Sequence, residues 1–286
     1  MADVAGPSPE HREAHDARMW WAGDLGGVEL FRATLTEFDF RPHAHEEFFL
    51  ALTEGGVATP RYRGDSHVIG PGDLIALNPE EVHSGGPPAD ESWTYRAVYP
   101  GPELVRGIVA EFPGVLPPVP EFGGDVVRDP EVAAHLRRFH QLSELPGSSP
   151  LERESRLART LVLLVSRYAV GTWSPRPPGR ERQAVAVSTE YLREHAAENV
   201  SLRTLARVAG LSPYHLCRVF RQAVGVTPHA YQAQVRVWRA RSLLRAGLPI
   251  AEVATVSGFY DQSHLTRHFK RILGLTPGRY VRDTDT

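Results

Sequence analysis

"GFYDQSHLTRHFKRILGLTPGRY", residues Gly258–Tyr280, sets Gln262, Ser263, Thr266, Arg267 and Lys270 on one side of a short helical pattern and Leu265 and Phe269 on the other. Gly274 and Thr276-Pro277 then interrupt it, because glycine ends a helix readily and a Thr-Pro pair opens the next. A near copy, "GLSPYHLCRVFRQAVGVTPHAY", runs from Gly210 to Tyr231. Ala206 and Gly210 lie 48 residues before Ala254 and Gly258. Leu216, Phe220, Gly225, Thr227-Pro228 and Tyr231 lie 49 residues before Leu265, Phe269, Gly274, Thr276-Pro277 and Tyr280. The offset grows by one in the turn, so the second copy carries a one-residue insertion there. Helix, glycine turn, helix is the helix-turn-helix pattern, and the chain holds it twice.

Leu216, Val219 and Phe220 in the first copy, and Leu265 and Phe269 in the second, are expected to pack the second helix of each pair onto its own domain. The outward side is Tyr214, Cys217, Arg218 and Arg221 in the first copy and the five polar residues named above in the second. Such side chains suit a DNA duplex. Arg forks onto guanine, Gln pairs with adenine, and Thr or Tyr meets a thymine methyl. Helix starts at Ser201, Ser212, Thr227 and Thr276 offer backbone N–H groups to phosphates. A helix from about Pro228 to Ala246 would be roughly 28 Å long, close to the ~34–36 Å between successive major-groove faces. One chain would then present two reading helices to one side of the duplex. Polar faces on short helices are usually only solvated, but two copies with matching Ala, Gly, Phe, Gly, Thr-Pro and Tyr positions argue for a shared task.

Charge divides the same way. From Gln183 onward there are 14 basic and 7 acidic residues, whereas the preceding part holds 18 basic and 27 acidic. A basic C-terminal third beside an acidic remainder is expected to be the part that meets a polyanion. Lys270 is the only lysine. Cys217 is the only cysteine, which excludes an intrachain disulfide and a thiolate metal cluster. No apolar run approaches the ~18 residues of a membrane span. The start, "MADVAGPSPEHREAHDAR", lacks the apolar core of a signal peptide. The expectation is a cytoplasmic protein with no membrane partner.

From about Gln183 to Asp283 the chain resembles the AraC/XylS family of transcription regulators. "SLRTLARVAGLSPYHLCRVFRQAVGVTPHAYQ" is similar to the first half of the family's DNA-binding domain, and "PIAEVATVSGFYDQSHLTRHFKRILGLTPGRY" to its stronger signature. The resemblance implies an all-α domain of seven helices with two helix-turn-helix motifs. By motif position it implies base contacts from Tyr214, Cys217 and Arg218, and from Gln262, Ser263, Thr266 and Arg267. Cys217 departs from the longer polar residues common there, so van der Waals contact is expected of it.

The N-terminal part reads differently. "VELFRATLTEFDF", "EEFFLALTEGG", "GDLIALNP" and "WTYRAVYP" are short extended runs punctuated by Gly and Pro, the pattern of a small β-barrel or sandwich. "RPHAHEEFF", "GPGDLIALNPEEVHSG" and "WTYRAVYP" resemble the cupin-like ligand-binding domain that often precedes this DNA-binding domain. Alternate residues of a strand share a face, so His43, His45, Glu47 and Phe49 are expected to point into the barrel. His83 falls where cupins often place a third histidine. Phe38, Phe40, Trp93 and Tyr95 are candidates for the same cavity, and barrels of this size hold one small ligand. A rival reading is a metal-dependent cupin enzyme fused to a DNA-binding domain, with His43, His45 and His83 as candidate ligands. Against it, the acid usual in cupins would fall near Phe49 or Leu50, and Glu46 and Glu47 come too early.

Helical periodicity returns in "PEVAAHLRRFHQL" and "SPLERESRLARTLVLLVSRYAV", with apolar stripes through Leu136, Phe139, Leu157, Leu161, Leu164 and Val165. One face is expected to close the barrel; the other either pairs with a second subunit, which the family resemblance favours, or belongs to the internal core. "GTWSPRPPGRER" reads as a linker. The fold class expected is therefore α+β multidomain. A disordered tail (1–17) leads to a cupin-like barrel (18–125) with two flanking helices in a dimerisation or packing segment (126–170). A linker (171–182) and the double helix-turn-helix domain (183–286) complete it. The function expected is a sequence-specific transcription regulator, an activator by family analogy, and not an enzyme. Its partners would be double-stranded DNA, a small-molecule effector, a second copy of itself and, as an activator, RNA polymerase; no cofactor is expected.

Overall fold

The computed structural model describes residues 16–23, 27–36, 39–109, 119–171 and 181–284. Most of the expected tail and linker, and Phe38, lie outside them. The strands are β1 (Arg18–Ala22), β2 (Val28–Thr36), β3 (Phe40–His43), β4 (Phe49–Gly56), β5 (Arg61–Tyr62), β6 (Asp65–Ser66), β7 (Leu74–Leu77), β8 (His83–Gly85) and β9 (Ser92–Tyr99). Helices α1 (Pro102–Val109), α2 (Pro130–Glu144) and α3 (Pro150–Tyr168) follow, then α4 (Arg182–Glu194), α5 (Leu202–Ala209), α6 (Pro213–Val224), α7 (Pro228–Arg245), α8 (Ile250–Val256), α9 (Gln262–Leu273) and α10 (Pro277–Thr284). The chain forms two compact units. One takes the described residues up to 109 with 119–140 and 163–171; the other takes 141–162 and 181–284. Among the described residues, no helix is long and apolar enough to cross a membrane.

In the first unit, an antiparallel sheet ordered β1-β2-β9-β4-β7 and a smaller one ordered β3-β8-β5-β6 enclose a cupin-like core. Strands β2, β4 and β7 fall within the sequence runs quoted above, and β9 begins one residue before its run, at Ser92. On β2 and β9, apolar and polar residues alternate, so Ala33, Leu35, Trp93, Tyr95 and Ala97 enter the core with Phe49 and Ala51 of β4 and Tyr62 of β5. β4 lies inside the large sheet and is buried on both faces from Phe49 to Thr53. On that sheet's other side, Glu54 accepts from Arg96 and from Arg137 of α2, at 3.2 and 2.6 Å. Arg96 donates onward to Nδ1 of the buried His140 at 2.8 Å, whose Nε2 meets the Phe31 carbonyl at 3.1 Å. The expected two flanking helices are α2 and α3, and α1 adds a short third. Leu136, Phe139, Leu157, Leu161, Leu164 and Val165 are all buried.

The second unit contains the seven helices α4–α10, with α5–α6 and α8–α9 as the two helix-turn-helix pairs. Each pair has its own core: Leu205, Ala206, Leu216, Val219 and Phe220 in the first, and Val253, Ala254, Leu265 and Phe269 in the second. The inserted residue is visible in the turns. Gly210 stands two residues before the cap Ser212, and Gly258 three residues before the cap Asp261. The long helix α7 joins the pairs and carries a polar clamp. Arg236, 6% exposed, donates from Nε to the Ala196 carbonyl at 2.6 Å and from Nη2 to the Glu198 carbonyl at 2.8 Å. Gln232 Nε2 reaches the Glu198 carbonyl at 3.1 Å. Gly258 packs against the same segment: a Cβ there would stand 2.6 Å from the Ala197 Cα, at φ +85°.

Gly258→Ala is therefore expected to cost more than the ~1–2 kcal/mol of a left-handed alanine alone, since it also strikes backbone. Gly210→Ala, at φ +66° with open space around it, should cost only that backbone penalty. Urea unfolding of the two variants against the parent checks the ranking.

Candidate nucleic-acid interface and effector cavity

Both reading helices are built by the same devices. Ser212 takes the His215 N–H at the start of α6, Asp261 takes the His264 N–H at the start of α9, and left-handed Gly225 and Gly274 close the two helices. Ser201 and Thr276 cap α5 and α10 with their side chains. Thr227 stands at the N-cap of α7 without a side-chain cap; its hydroxyl meets His229 Nδ1 at 3.0 Å. Asp261, which closes its helix start with a carboxylate, was not among the sequence candidates, although an Asp before a Gln-Ser helical run is a recognisable cap. α7 spans 18 residues, about 27 Å at 1.5 Å per residue.

The two outward faces differ. In α9, Gln262, Ser263, Arg267 and Lys270 are exposed and Thr266 is half-buried. In α6, Arg221 is exposed, but Tyr214, Cys217 and Arg218 are half-buried. The cause lies in the same compact unit. Leu151, Ser155 and Ala158 form one stripe on α3, all buried; Leu151 and Ala158 share the apolar core of α6, on which Tyr214 and Cys217 pack. The Cys217 thiol stands 3.7 Å from Ser155 Oγ. Arg218 Nη2 donates to His215 Nδ1 at 3.0 Å, and His215 Nε2 reaches Glu181 at 2.9 Å. The first reading helix is thus closed against α3 and the second is open.

The cavity of the barrel is lined by Phe40, His43, His45, Phe49, His83, Trp93 and Tyr95 among others. Glu47 is not part of the lining. β3 ends at His43 and the chain loops until Phe49 begins β4, with Glu47 in the loop between them. Tyr99, Ile75, Pro60, Ser84 and Gly85, which the sequence reading did not select, complete the wall. His43 and His83 are cross-strand partners of β3 and β8. Phe49 stacks on His83 with ring centroids 5.2 Å apart, and Trp93 stacks on Tyr95 at 3.9 Å. Burial raises the Tyr95 and Tyr99 phenols above their ordinary range.

The AraC-like ligand-binding domain model matches residues 25–161 and a helix-turn-helix domain model matches 205–283. An HTH-type transcriptional regulator, YbfI, of Bacillus subtilis is 31% identical over 238 residues, which cover 83% of this chain and 86% of the relative. The chain belongs to the AraC family of transcription regulators. Another family member, the arabinose operon regulatory protein of Escherichia coli, is 28% identical over 84% of this chain and 82% of its own. The DNA-binding domain of AdpA, solved in complex with a target DNA, is 32% identical over 35% of this chain and 91% of that one, with a TM-score of 0.34. This AraC-family chain is accordingly a DNA-binding transcription regulator with a ligand-binding domain.

One pH dependence follows from the reading helices. His264 and His268 turn inward from α9, their rings 4.8 Å apart and beside Phe259. Burial, then the neighbouring His264 and Arg271, push His268 down from 6.5 to about 4, with Glu152 opposing and Arg267 adding to the shift. Unfolding restores the ordinary value, so between these two pH values the unfolded chain binds the proton and the folded one does not. The stability held above pH 6.5 should be lost as pH falls toward 4. Thermal unfolding of the helical unit between pH 7 and 4 checks this, and His268→Gln should flatten the slope.

Proposed function

We propose that this AraC-family regulator is an effector-controlled activator whose effector decides whether α3 covers the first reading helix. The observation that carries this reading is the unequal exposure of α6 and α9. α9 would read bases through Gln262, Ser263, Thr266 and Arg267. Tyr214, Cys217 and Arg218 of α6 would add a second set once α3 withdraws. Arg221, Lys270 and the helix starts at Ser201, Ser212, Thr227 and Thr276 would contact phosphates. His43, His45, Phe49, His83, Trp93 and Tyr95 would hold the effector. For the effector to switch anything, it must bind the covered and uncovered states with different affinity.

The protein would work in the cytoplasm as a homodimer that recruits RNA polymerase, and not as an enzyme. The regulators named above support the last point and the expected class of partner.

Arg267→Ala should weaken binding to the specific operator by about 1–3 kcal/mol and leave non-specific binding nearly unchanged. Quantitative footprinting at fixed salt reads both; an equal loss on both would assign Arg267 to phosphate alone. The covering of α6 has its own reporter, because Cys217 is the chain's only cysteine. Ser155→Arg, which forces a long charged side chain toward α6, should speed thiol labelling of Cys217 and tighten operator binding without effector. Unchanged labelling with unchanged binding would remove α3 from the switch.

A further inference from the structure

His43, His45 and His83 meet in the barrel with their three rings 4.4–4.9 Å apart, centroid to centroid. Each presents one ring nitrogen, and these nitrogens lie within 4.8 Å of one another. The tautomers are set by the backbone. His43 Nδ1 bonds the Arg41 carbonyl at 2.8 Å and His83 Nδ1 bonds the Glu81 carbonyl at 2.9 Å. A carbonyl accepts only from a protonated nitrogen, so Nε2 of each ring keeps its lone pair free to ligate. His45 Nε2 is buried and, among the described residues, has no hydrogen-bond partner. A buried polar atom left so is costly in a folded protein unless something absent from the chain itself satisfies it.

The loop that delivers His83 is tied down. Glu81 accepts from Arg63 and from both nitrogens of Asn78, and Asn78 in turn bonds the backbone of Phe122. The Glu80 N–H donates to the His45 carbonyl at 2.6 Å, joining the two histidine-bearing segments directly. About 40 Å³ of cavity adjoins the cluster, space enough for an ion and a water-sized donor.

We propose that His43, His45 and His83 bind one divalent transition-metal ion of borderline softness, of the Zn²⁺, Co²⁺ or Ni²⁺ class, and that this ion is the barrel's effector. The second clause rests on the regulator reading above. Three imidazoles with no oxygen ligand select these ions over Ca²⁺ and Mg²⁺. Nitrogens around a tetrahedral ion, at ~2.0–2.1 Å from it, stand roughly 3.4 Å apart. Binding therefore draws the rings together by about an ångström, and with them β3, β8 and the segment joining β3 to β4. That contraction is how an ion as small as this would alter the barrel. The fourth position is left to water or a small anion.

The test uses the untagged full-length chain, stripped with a chelator and titrated with Co²⁺. One equivalent per chain and a visible d–d absorption of tetrahedral nitrogen ligation are expected. His83→Gln should lose both, with an unchanged circular dichroism spectrum. His67→Gln, a histidine outside the cluster stacked on Tyr62, should keep both. Operator footprints of the parent with and without Zn²⁺ read the second clause. Stoichiometric binding with a changed footprint upholds the proposal. Stoichiometric binding with the same footprint leaves a structural ion and overturns its role as effector. No stoichiometric binding beside an intact operator footprint overturns the site while the regulator reading stands. Metal binding without any specific footprint in either condition would instead count against the regulator reading and, with it, the effector role.

Discussion

The helical unit depends on a buried arginine that grips two carbonyl oxygens. Arg236, midway along α7, satisfies the carbonyls of Ala196 and Glu198, in a segment just past the end of α4 where backbone acceptors have no helical partner. Gly258, at the turn of the second pair, presses on Ala197 between them. One short segment therefore fixes the first pair to the connecting helix and receives the turn of the second. Burial lowers the Arg236 guanidinium to about 10, still charged at any physiological pH. Hydrogen bonds from a charged donor contribute about 1.5–3 kcal/mol each. A lysine would offer a single ammonium in place of the fixed fork that spans both carbonyls. Polar geometry thus ties α7 to the segment after α4 and to the turn of the second pair.

Much of the helical unit was legible because its signals are local and repeated. Caps, left-handed glycines and Thr-Pro pairs each act within a few residues, and the duplicated spacing located even the inserted turn residue. Arg236 and Gln232 were not legible. A polar residue on a long helix reads as solvated until its tertiary partner is known. In the barrel, short extended runs punctuated by Gly and Pro marked β2, β4, β7 and β9, whereas the two-residue strands β5 and β6 are too short for any periodicity to register. Glu47 is absent from the cavity lining although His45 and Phe49, on the same alternation, belong to it. The histidine cluster was legible in composition, but its closeness depends on the cross-strand pairing of His43 with His83. The stripe on α3 announced burial correctly and said nothing of its partner, since an apolar face carries no address.

The barrel and the helical unit place their polar groups by different economies of structure. In the barrel, the aromatic lining and three imidazoles surround a small cavity, and the hydrogen bonds of Asn78, Glu81 and Arg63 stand outside it as supports. In the helical unit, charge is concentrated outward on α9, while α6 keeps Arg218 engaged with His215. On the reading proposed above, one reading surface would be always available and one conditional, so weak and full operator binding would be separate states of the same chain.

The caps of the two reading helices also differ in sign. Ser212 is neutral, so the N-terminus of α6 keeps the positive end of its dipole for an approaching phosphate. Asp261 puts an exposed carboxylate at the start of α9, which cancels that field and repels a phosphate there. On the reading proposed above, the second helix would then gain its hold on DNA from side chains further along, at Arg267 and Lys270. In counterion terms, the first helix would displace cations from the duplex at its tip and the second along its flank, so the repeat that looks symmetrical in sequence would be electrostatically directional on DNA.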